Sequence, residues 1–584
     1  GDVSGAEFHG IYARNGETAT NLHITAQSNV TGALDGIRAD NEGTEQSEIR
    51  TRGHVEGQDG NGIQAINGAN ATDLIIDANS VKGSGDGISA WNQGQGNTGI
   101  TTRGEVTGVG GIGIYATNNA SAKDLTVETV DGAKVTGLAE GIYVENTGIG
   151  LTSVKASDDV SGTDSFGIFV RHNGADLAIE ATGVKGGVDG IHAENMGVGG
   201  DTRIAAAGHV EGAGGSGIYA LNIQDTGSLR IEATSVTGSA YGINVENAGN
   251  DLTSIKTSGD IIGTTLDGIG ALNDANAGDL MIETAVVTGG RHGIQAENQG
   301  RGQTDIKALA PVTGTNGAGI LARNGATATG LTVEGAAVTG GEYGVYADNG
   351  GTGLTSVKIG DDVNGTLGDG IFARNAAMAS DLMVEATNVT GGESGIAVSN
   401  QGVGQTKVTA TDIVAGANTA GIIAQNGATA TDLMIEASRV TGGVVGLYAE
   451  NAGTGLTSVK ATGAVVGGTF GIAAINRATA KDLIVETANA AGGIYGIFTQ
   501  NEGGRLARIT TGRTVEGSGA AIVATSSAGQ AIGVINNADG VLRNRSGSSA
   551  DLAIGVIGGP LALTNNGAIL GAAVLGDSAD IFDN

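Results

Sequence analysis

The side chains of this chain that could bind a ligand are aromatic and charged residues that recur at nearly constant spacing. Aromatic rings beside arginine dominate the energetics of many binding surfaces, because they bury a large area with few rotatable bonds. Such a strip could bind a glycan or a protein by contact, without chemical change in the ligand. The recurring aromatic residues are Tyr12, Tyr115, Tyr143, Phe169, Tyr219, Tyr346, Phe372, Tyr448 and Phe498.

Charged residues lie two positions further along the same motif, among them Glu145, Arg171 and Glu194 in one stretch and Arg323, Asp348 and Arg374 in another. If neighbouring copies pack side by side, the rings and the charges form one strip. The candidate ligand-binding residues are Tyr115, Tyr143, Phe169, Arg171, Tyr219, Tyr346, Phe372, Arg374, Tyr448 and Phe498. The alternative is that the rings only stack on one another and protect an exposed sheet. Because duplication alone produces a regular column, this structural role is the favoured interpretation.

Metal and cofactor chemistry has no recognisable motif in this sequence. Asp158 with Asp159 and Asp361 with Asp362 form acidic pairs near glycine, but the nine-residue calcium-binding repeat is missing, which favours solvated turns. The histidines are scattered without metal-ligand spacing, and the absence of Cys removes thiolate ligands and disulfides. We therefore expect no metal ion and no cofactor.

A six-residue motif, Gly-Ile-x-Ala-x-Asn, positions these residues, and we call it the hexad. Twenty copies occur between Gly10 and Asn501, with Gly at the first position of every copy. Ile occupies the second position in 18 copies, Ala the fourth in 15 and Asn the sixth in 19, the exception being His172. The aromatic residues occupy the third position and the charged residues the fifth. Successive copies start 23–28 residues apart, about 25.5 on average.

Three short extended segments occur in each interval: the hexad, a second alternating segment such as residues 432–437, and a third such as residues 440–442. Period-2 alternation places Ile, Ala and Asn of the hexad on one face. The intervals are too short and glycine-rich for two-helix repeats, and the pattern of a leucine-rich repeat is missing. The sequence therefore predicts an all-β fold, a right-handed single-stranded parallel β-helix of about 23 coils of about 25 residues. Residues 1–515 form regular coils, and residues 516–584 form irregular C-terminal coils that continue the helix.

Stacking of like residues follows from this fold. The Asn column predicts an asparagine ladder, in which amides bond along the axis and tolerate left-handed backbone, and the hexad Gly allows a tight corner. Coils also alternate in type, with a double repeat near 51 residues. One position of the second segment alternates in charge, so that opposite charges should face each other between coils: Lys256, Glu283, Lys307, Glu334, Lys358, Glu385, Glu436, Lys460 and Glu486. We interpret this column as structural.

Composition and regular spacing argue against two classes of function. The net charge of −31, without a basic run, excludes nucleic acid as a partner. A polysaccharide lyase or hydrolase on this fold needs a cleft built by inserted loops with clustered carboxylates. Because no interval between hexads exceeds 28 residues, we expect no such cleft and no enzyme.

The end of the chain carries two family-like segments. They are residues 563–571, Leu-Thr-Asn-Asn-Gly-Ala-Ile-Leu-Gly, and residues 575–584, Leu-Gly-Asp-Ser-Ala-Asp-Ile-Phe-Asp-Asn. This tail resembles the β-helical passenger domains of bacterial autotransporters (type V secretion), although Ser578 and Ala579 depart from the usual acidic or glycine residues. The resemblance implies export to the bacterial cell surface and an outer-membrane barrel of the same polypeptide. Since the pattern is already running at Gly1, we expect a leader and the barrel outside this sequence.

The function predicted from these observations is that of a surface-exposed or secreted bacterial adhesin. Its expected partners are host extracellular matrix, a cell-surface receptor or glycan, or further copies of itself in bacterial self-association; the soluble chain is expected to be monomeric. One alternative is a structural stalk that carries a functional domain outside this sequence. A third is a polysaccharide-degrading β-helix.

Overall fold

The structure, a computed structural model, describes residues 1–527, 529–576 and 579–584. Its strands stack in parallel as a β-solenoid of about 23 turns of about 25 residues, without a helix, which confirms the predicted fold class. No helix able to span a membrane occurs among these residues. Asp577 and Ser578 of the tail segment lie outside the described residues.

The chain divides into two compact units, Gly1–Gly290 and Arg291–Asn584. In the first unit the hexads form the strands Ile11–Asn15, Ile37–Asn41, Ile63–Asn67, Ile88–Asn92, Ile114–Asn118, Ile142–Asn146, Ile168–His172, Ile191–Asn195, Ile218–Asn222, Ile243–Asn247 and Ile269–Asn273. The second segments form Leu22–Ala26, Ser47–Thr51, Leu74–Ala78, Thr98–Thr102, Leu125–Thr129, Thr152–Ala156, Leu177–Ala181, Thr253–Thr257 and Leu280–Thr284. The third segments form Val3–Gly5, Val30–Gly32, His54–Gly57, Ser80–Gly83, Val106–Gly108, Val135–Gly137, Val160–Gly162, Val184–Gly186, Ile261–Gly263 and Val287–Gly289. Second and third segments are continuous in Thr202–Gly212 and Leu229–Gly238.

The second unit repeats this order. Its hexad strands are Ile294–Asn298, Ile320–Asn324, Val345–Asn349, Ile371–Asn375, Ile396–Asn400, Ala420–Asn426, Val445–Asn451, Phe470–Asn476 and Tyr495–Asn501, and the strands Ala520–Ser526, Leu552–Ile557 and Ala572–Val574 continue their sheet without the motif. The second segments are Thr304–Ala308, Leu331–Gly335, Leu506–Thr511, Ala531–Asn536, Leu561–Asn565 and Ile581–Asp583, and the third are Val312–Gly314, Val338–Gly340, Thr514–Gly517, Val541–Asn544 and Ala568–Leu570. Continuous strands are Thr355–Gly365, Leu382–Gly391, Thr406–Gly416, Leu433–Gly442, Thr457–Gly467 and Leu483–Gly492. The predicted division near residue 515 stays a prediction.

Neighbouring coils pair in register, residue type on residue type. The strand Ile114–Asn118 pairs with Ile142–Asn146 so that Ile lies beside Ile, Tyr beside Tyr and Asn beside Asn. The same register holds between Ile320–Asn324 and Val345–Asn349 in the second unit. The hexad Ile and Ala side chains are buried, almost all of them completely, and form the core together with inward residues of the other two segments. Period-2 alternation therefore decides which side chains are inside.

The hexad Gly is required for a different reason from the predicted tight corner. A Cβ added at Gly141 would lie 2.5 Å from Cγ1 of Val160 and 2.7 Å from the carbonyl oxygen of Gly167, both in the next coil. The same close approach recurs at Gly167 and Gly319, and none of these glycines has a positive φ. Glycine is therefore fixed by the distance between coils and not by backbone conformation.

The Asn column also differs from the predicted ladder. Amide-to-amide bonds occur between Asn324 and Asn349, at 3.4 Å, and between Asn476 and Asn501, at 3.3 Å. Most of the described hexad amides instead donate to carbonyl oxygens of the turn that follows, as Asn118 Nδ2 does to the carbonyl of Asp124 at 3.0 Å. Among the described residues, none of the hexad Asn has a positive φ. These Asn residues do not use the left-handed backbone that such a column tolerates, because the amide serves as a turn cap and needs no left-handed conformation.

The alternation of coil types has a physical basis in these bonds. In one type the second segment begins with Thr or Ser, and its hydroxyl donates to Oδ1 of the hexad Asn in the next coil, as from Thr202 to Asn222 at 2.6 Å. In the other type the second segment begins with Leu. The hexad Asn that precedes this Leu accepts the hydroxyl hydrogen bond from the coil before, as Asn222 does ahead of Leu229. The predicted charge column is confirmed by register, since Lys256 pairs with Glu283 and Lys358 with Glu385.

Candidate functional site

The aromatic residues of the first unit form one continuous stack on the outer face of the hexad strands. The ring centroids of Tyr115 and Tyr143 are 5.1 Å apart, and those of Tyr143 and Phe169 are 4.9 Å apart, with interplanar angles of 16° in both pairs. His192 continues the stack at 5.3 Å from Phe169, and Tyr219 follows at 4.6 Å from His192. In-register pairing of the hexads brings these residues together, because it places the third position of each hexad beside the third position of the next hexad. We call the row from Tyr115 to Tyr219 the ring stack.

The ring stack is less exposed than the sequence predicts. Phe169 is only 7 % exposed, and the other members are half-buried because each ring covers part of its neighbours. By contrast Tyr12, which lies outside the stack, is 55 % exposed. A ligand would therefore meet the edges and rim of the rings, not open faces along the whole column.

Charged groups along the ring stack are largely paired with one another. Arg171 Nε donates to Oε2 of Glu194 at 2.7 Å, and its guanidinium lies 5.6 Å from the Phe169 ring centroid. The imidazole of His192 lies between carboxylates, with Nδ1 2.8 Å from Asp189 and Nε2 3.1 Å from Glu194. This chain of opposite charges stabilises the arrangement of the rim and leaves Arg171 directed at a protein carboxylate.

The phenols of the stack stay protonated over the physiological range. Burial, followed by the negative charge of Glu145, raises the pKa of Tyr143 to about 12, and its hydroxyl donates to Glu145 Oε2 at 3.3 Å. Burial and the charge of Glu246 likewise raise the pKa of Tyr219 to about 12. For Glu194, burial raises the carboxyl pKa, but hydrogen bonds from Arg171 and His192 outweigh it and lower the pKa overall. The rim therefore presents neutral donors beside carboxylates.

The predicted residues of the second unit form a second, shorter stack. The Tyr346 and Phe372 ring centroids are 4.9 Å apart, and the guanidinium of Arg323 lies 5.2 Å from the Tyr346 ring centroid. Arg374 makes a bidentate contact with Asp348, at 2.8 Å from Nε and 2.6 Å from Nη2.

Tyr448 and Phe498 take no part in that stack. The Tyr448 hydroxyl donates to Glu450 Oε2 at 2.7 Å, and burial followed by this bond raises its pKa to about 12. Phe498 packs instead near Phe470, with ring centroids 5.7 Å apart. The single predicted strip is therefore resolved into a long stack in the first unit and smaller aromatic clusters in the second.

Sequence reasoning missed three rings that join the long stack. Trp91 occupies the fifth position of its hexad and not the third, yet its ring centroid lies 5.2 Å from that of Tyr115. His192 occupies the third position but is not one of the aromatic residue types that define the column. Phe166 precedes its hexad and lies 5.3 Å from Phe169. Counting His in the third column would have found His192, whereas the other two depend on how side chains fold over the sheet.

The acidic pairs have neighbours that do not build a metal site. Asp159 forms an ion pair with Lys134 at 3.2 Å, and Asp362 accepts from the Asn388 amide at 3.0 Å. Within the described ranges, no group of three or more His, Cys, Asp or Glu side chains is placed to hold a metal ion. What the described outer face offers is a surface for contact, made of ring edges, phenols and carboxylates.

Comparisons of the chain with protein-family models, curated proteins and solved structures find no significant match.

Proposed function

We propose that this chain is a surface-exposed or secreted bacterial adhesin passenger, which attaches to host matrix or cells or joins bacteria to one another. The observation that carries the proposal is the ring stack, five consecutive coils with an aromatic or imidazole ring at the same outward position. Tyrosine and arginine are enriched among the residues that supply most of the binding energy at protein interfaces, and phenylalanine is enriched in interface cores. A row of five rings, one in each coil, offers several weak contacts at regular spacing, which suits attachment to a repetitive surface.

Location and partners belong to the same proposal. A β-solenoid is the architecture of autotransporter passenger domains, and residues 563–571 and 575–584 resemble segments of that family. The proposal therefore places the chain outside the outer membrane, with the membrane barrel on the same polypeptide. Its net charge of −31 supports solubility and a monomeric chain and opposes contact with anionic lipid or nucleic acid.

A stalk that holds a functional domain away from the cell is the second candidate. The observation in its favour is that the rings of Tyr143, Phe169 and His192 bury one another, as expected when a column serves only stacking between coils. On this candidate, removal of the rings would lower stability and leave attachment unchanged.

Attachment of the isolated chain distinguishes these candidates. The double variant Tyr143→Ala with Phe169→Ala removes the centre of the ring stack, and its control, Ile262→Ala with Met281→Ala, removes two exposed side chains from other strands of the same unit. Coated beads would be assayed on fibronectin, laminin and collagen, on epithelial monolayers, and for bead clumping, with circular dichroism to confirm folding. We expect at least a tenfold loss of attachment or clumping for the ring variant alone. Equal attachment of both folded variants would support the stalk.

A further inference from the structure

We propose that Trp91 and Tyr115 form a binding platform for a neutral glycan at one end of the ring stack. This inference rests on the proposed adhesive function and names the ligand class for one part of the same surface. It starts from the position of the indole: Trp91 is 40 % exposed, although its ring contacts Tyr115. The side chain is therefore only partly packed, and a large part of it is open to solvent.

The indole lies across its own strand. Its Nε1 donates to Oγ of Ser89 at 3.1 Å, two residues back and on the same outer face. Ser89 is only 3 % exposed, although its position in the hexad points outward, because the indole covers it. The indole is thus held at its Nε1 edge by Ser89 and by its contact with the Tyr115 ring, while 40 % of the residue stays exposed as apolar aromatic surface.

A groove of about 380 Å³ borders the indole. Residues of the strands Ile88–Asn92 and Ile114–Asn118 line it, together with Gln93 and Glu145. Sugar rings combine an apolar C–H face with a rim of hydroxyl groups, so they need a flat apolar surface beside hydrogen-bonding groups. Small-molecule sites share this design, in which a few polar side chains orient a ligand over an apolar floor.

Polar groups at this groove are available for hydrogen bonding. Within the part of the chain that the structure describes, the Gln93 amide and the Tyr115 and Thr117 hydroxyls have no protein partner. Glu145 uses Oε2 to accept from Tyr143, which leaves Oε1 as an acceptor. An amide, two hydroxyls and a carboxylate oxygen supply both donors and acceptors, as a polyhydroxylated ligand requires.

Charge selects a neutral glycan over an acidic one. Glu145 is the ionisable acid at the groove, the chain carries a net charge of −31, and the nearby Arg171 is paired with Glu194. Sulfated or sialylated sugars would be repelled by this potential.

The second unit shows what a closed platform looks like. There the guanidinium of Arg323 lies over the Tyr346 ring, and Phe372 stacks on it with centroids 4.9 Å apart. A sugar would have to displace the guanidinium to reach that ring. Trp91 has no such cover among the described residues, which makes it the open end of an aromatic stack.

Intrinsic fluorescence provides a direct test, because Trp91 is the one tryptophan of the chain. The full chain would be titrated with hexasaccharides of chitin, cellulose, mannan and starch, with a heparin hexasaccharide and with choline. We expect at least one neutral hexasaccharide to shift or quench the emission with a saturable curve that added salt does not weaken. Response to heparin or choline alone, or to no neutral probe at millimolar concentration, would overturn the proposal.

Calorimetry on variants then locates the site. Trp91→Ala should abolish binding of the active hexasaccharide, and Gln93→Ala with Thr117→Val, which keeps the indole, should weaken it at least tenfold. Met281→Ala, an exposed change on another strand of the same unit, should bind as the parent chain does. Unchanged affinity in the folded Trp91 variant would contradict the platform.

The bead assay separates this inference from the proposed function. If no neutral hexasaccharide changes the Trp91 emission, while parent beads attach and Tyr143→Ala with Phe169→Ala beads do not, the glycan platform fails and the adhesin proposal stands. If a neutral hexasaccharide binds, but beads coated with the parent chain attach to none of the tested surfaces and do not clump, the adhesin proposal fails and the glycan site stands.

Discussion

The hydroxyl of Thr98 donates to Oδ1 of Asn118 across two neighbouring coils, at 2.5 Å, and both side chains are at least 97 % buried. Asn118 also donates to the carbonyl of Asp124, which fixes the following turn. A single buried contact thus ties a strand of one coil to a turn of the next. Its recurrence in every second coil accounts for the double repeat.

Removal of that hydroxyl should destabilise the chain. Thr98→Val keeps the volume of the side chain but leaves Oδ1 of Asn118 buried without this donor, which costs about 1–3 kcal/mol. The measurement is the urea unfolding midpoint, combined with amide exchange of residues 98–102 and 114–118. Thr101→Val on the outer face of the same strand is the matched control and should change little. Equal effects of the two substitutions would show that the bond contributes nothing.

A pH dependence should arise from His172, which replaces Asn in the buried column. Burial lowers the pKa of its imidazole, although hydrogen bonds with the backbone of Ala175 and Gly174 partly oppose the shift. The unfolded imidazole takes up a proton near pH 6.5, whereas the folded one does so only at lower pH. Below about pH 6.5 the unfolded chain therefore binds a proton that the folded chain does not, and the free energy of unfolding falls as the pH is lowered. Above that value both states hold a neutral imidazole, and His172 makes no pH-dependent contribution.

The variant His172→Asn tests this dependence by restoring the common residue of the column. We expect unfolding midpoints measured between about pH 4.5 and 7.5 to fall less steeply on acidification than those of the parent chain. His209→Asn, which removes an exposed imidazole, is the control and should keep the parental slope. A parental slope in His172→Asn would assign the acid sensitivity to other groups.

The charge column should contribute to register more than to stability. Lys256 Nζ lies 3.0 Å from Oε1 of Glu283, and both side chains are well exposed, so Lys256→Ala should cost less than about 1 kcal/mol. Lys256→Glu places three acids in succession, since Glu232 and Glu283 are its neighbours in the paired strands. It should lower the thermal midpoint further, most clearly at low salt. Lys256→Glu with Glu283→Lys should recover part of that loss, and failure to recover would argue against pairing.

The hexad Gly should tolerate no side chain. In Gly141→Ala the new Cβ would meet Val160 and the Gly167 carbonyl, so the two coils must separate. We expect a lower midpoint by far-ultraviolet circular dichroism and faster amide exchange in residues 142–146 and 168–172. Gly99→Ala has open space around its Cβ and should be neutral or stabilising by up to about 1 kcal/mol. Normal stability of Gly141→Ala would contradict the steric account of the hexad.

The sequence by itself determined the coil and its inner face. Hexads at intervals of 23–28 residues, together with period-2 alternation, leave one way to bury Ile and Ala, and like residues then lie side by side, as Ile142 and Ile168 do. The sequence also placed the alternating Lys and Glu side chains of the second segments beside each other. Once the Ile residues of neighbouring coils pair, the register of every other column of residues is fixed. Backbone periodicity carries all of this information.

Only the tertiary structure decided where polar and aromatic side chains go within that frame. The amide of Asn118 could bond along its column or to the next turn, and it donates to the carbonyl of Asp124 while its oxygen accepts from Thr98, 20 residues away. Phe169 is buried because its neighbours in adjacent coils are also rings. Trp91 occupies the fifth position of its hexad, but it folds across its strand onto Ser89 and joins the rings of the third position. Rotamers and contacts between coils settle these points, because they depend on three-dimensional neighbours that a repeat pattern does not specify.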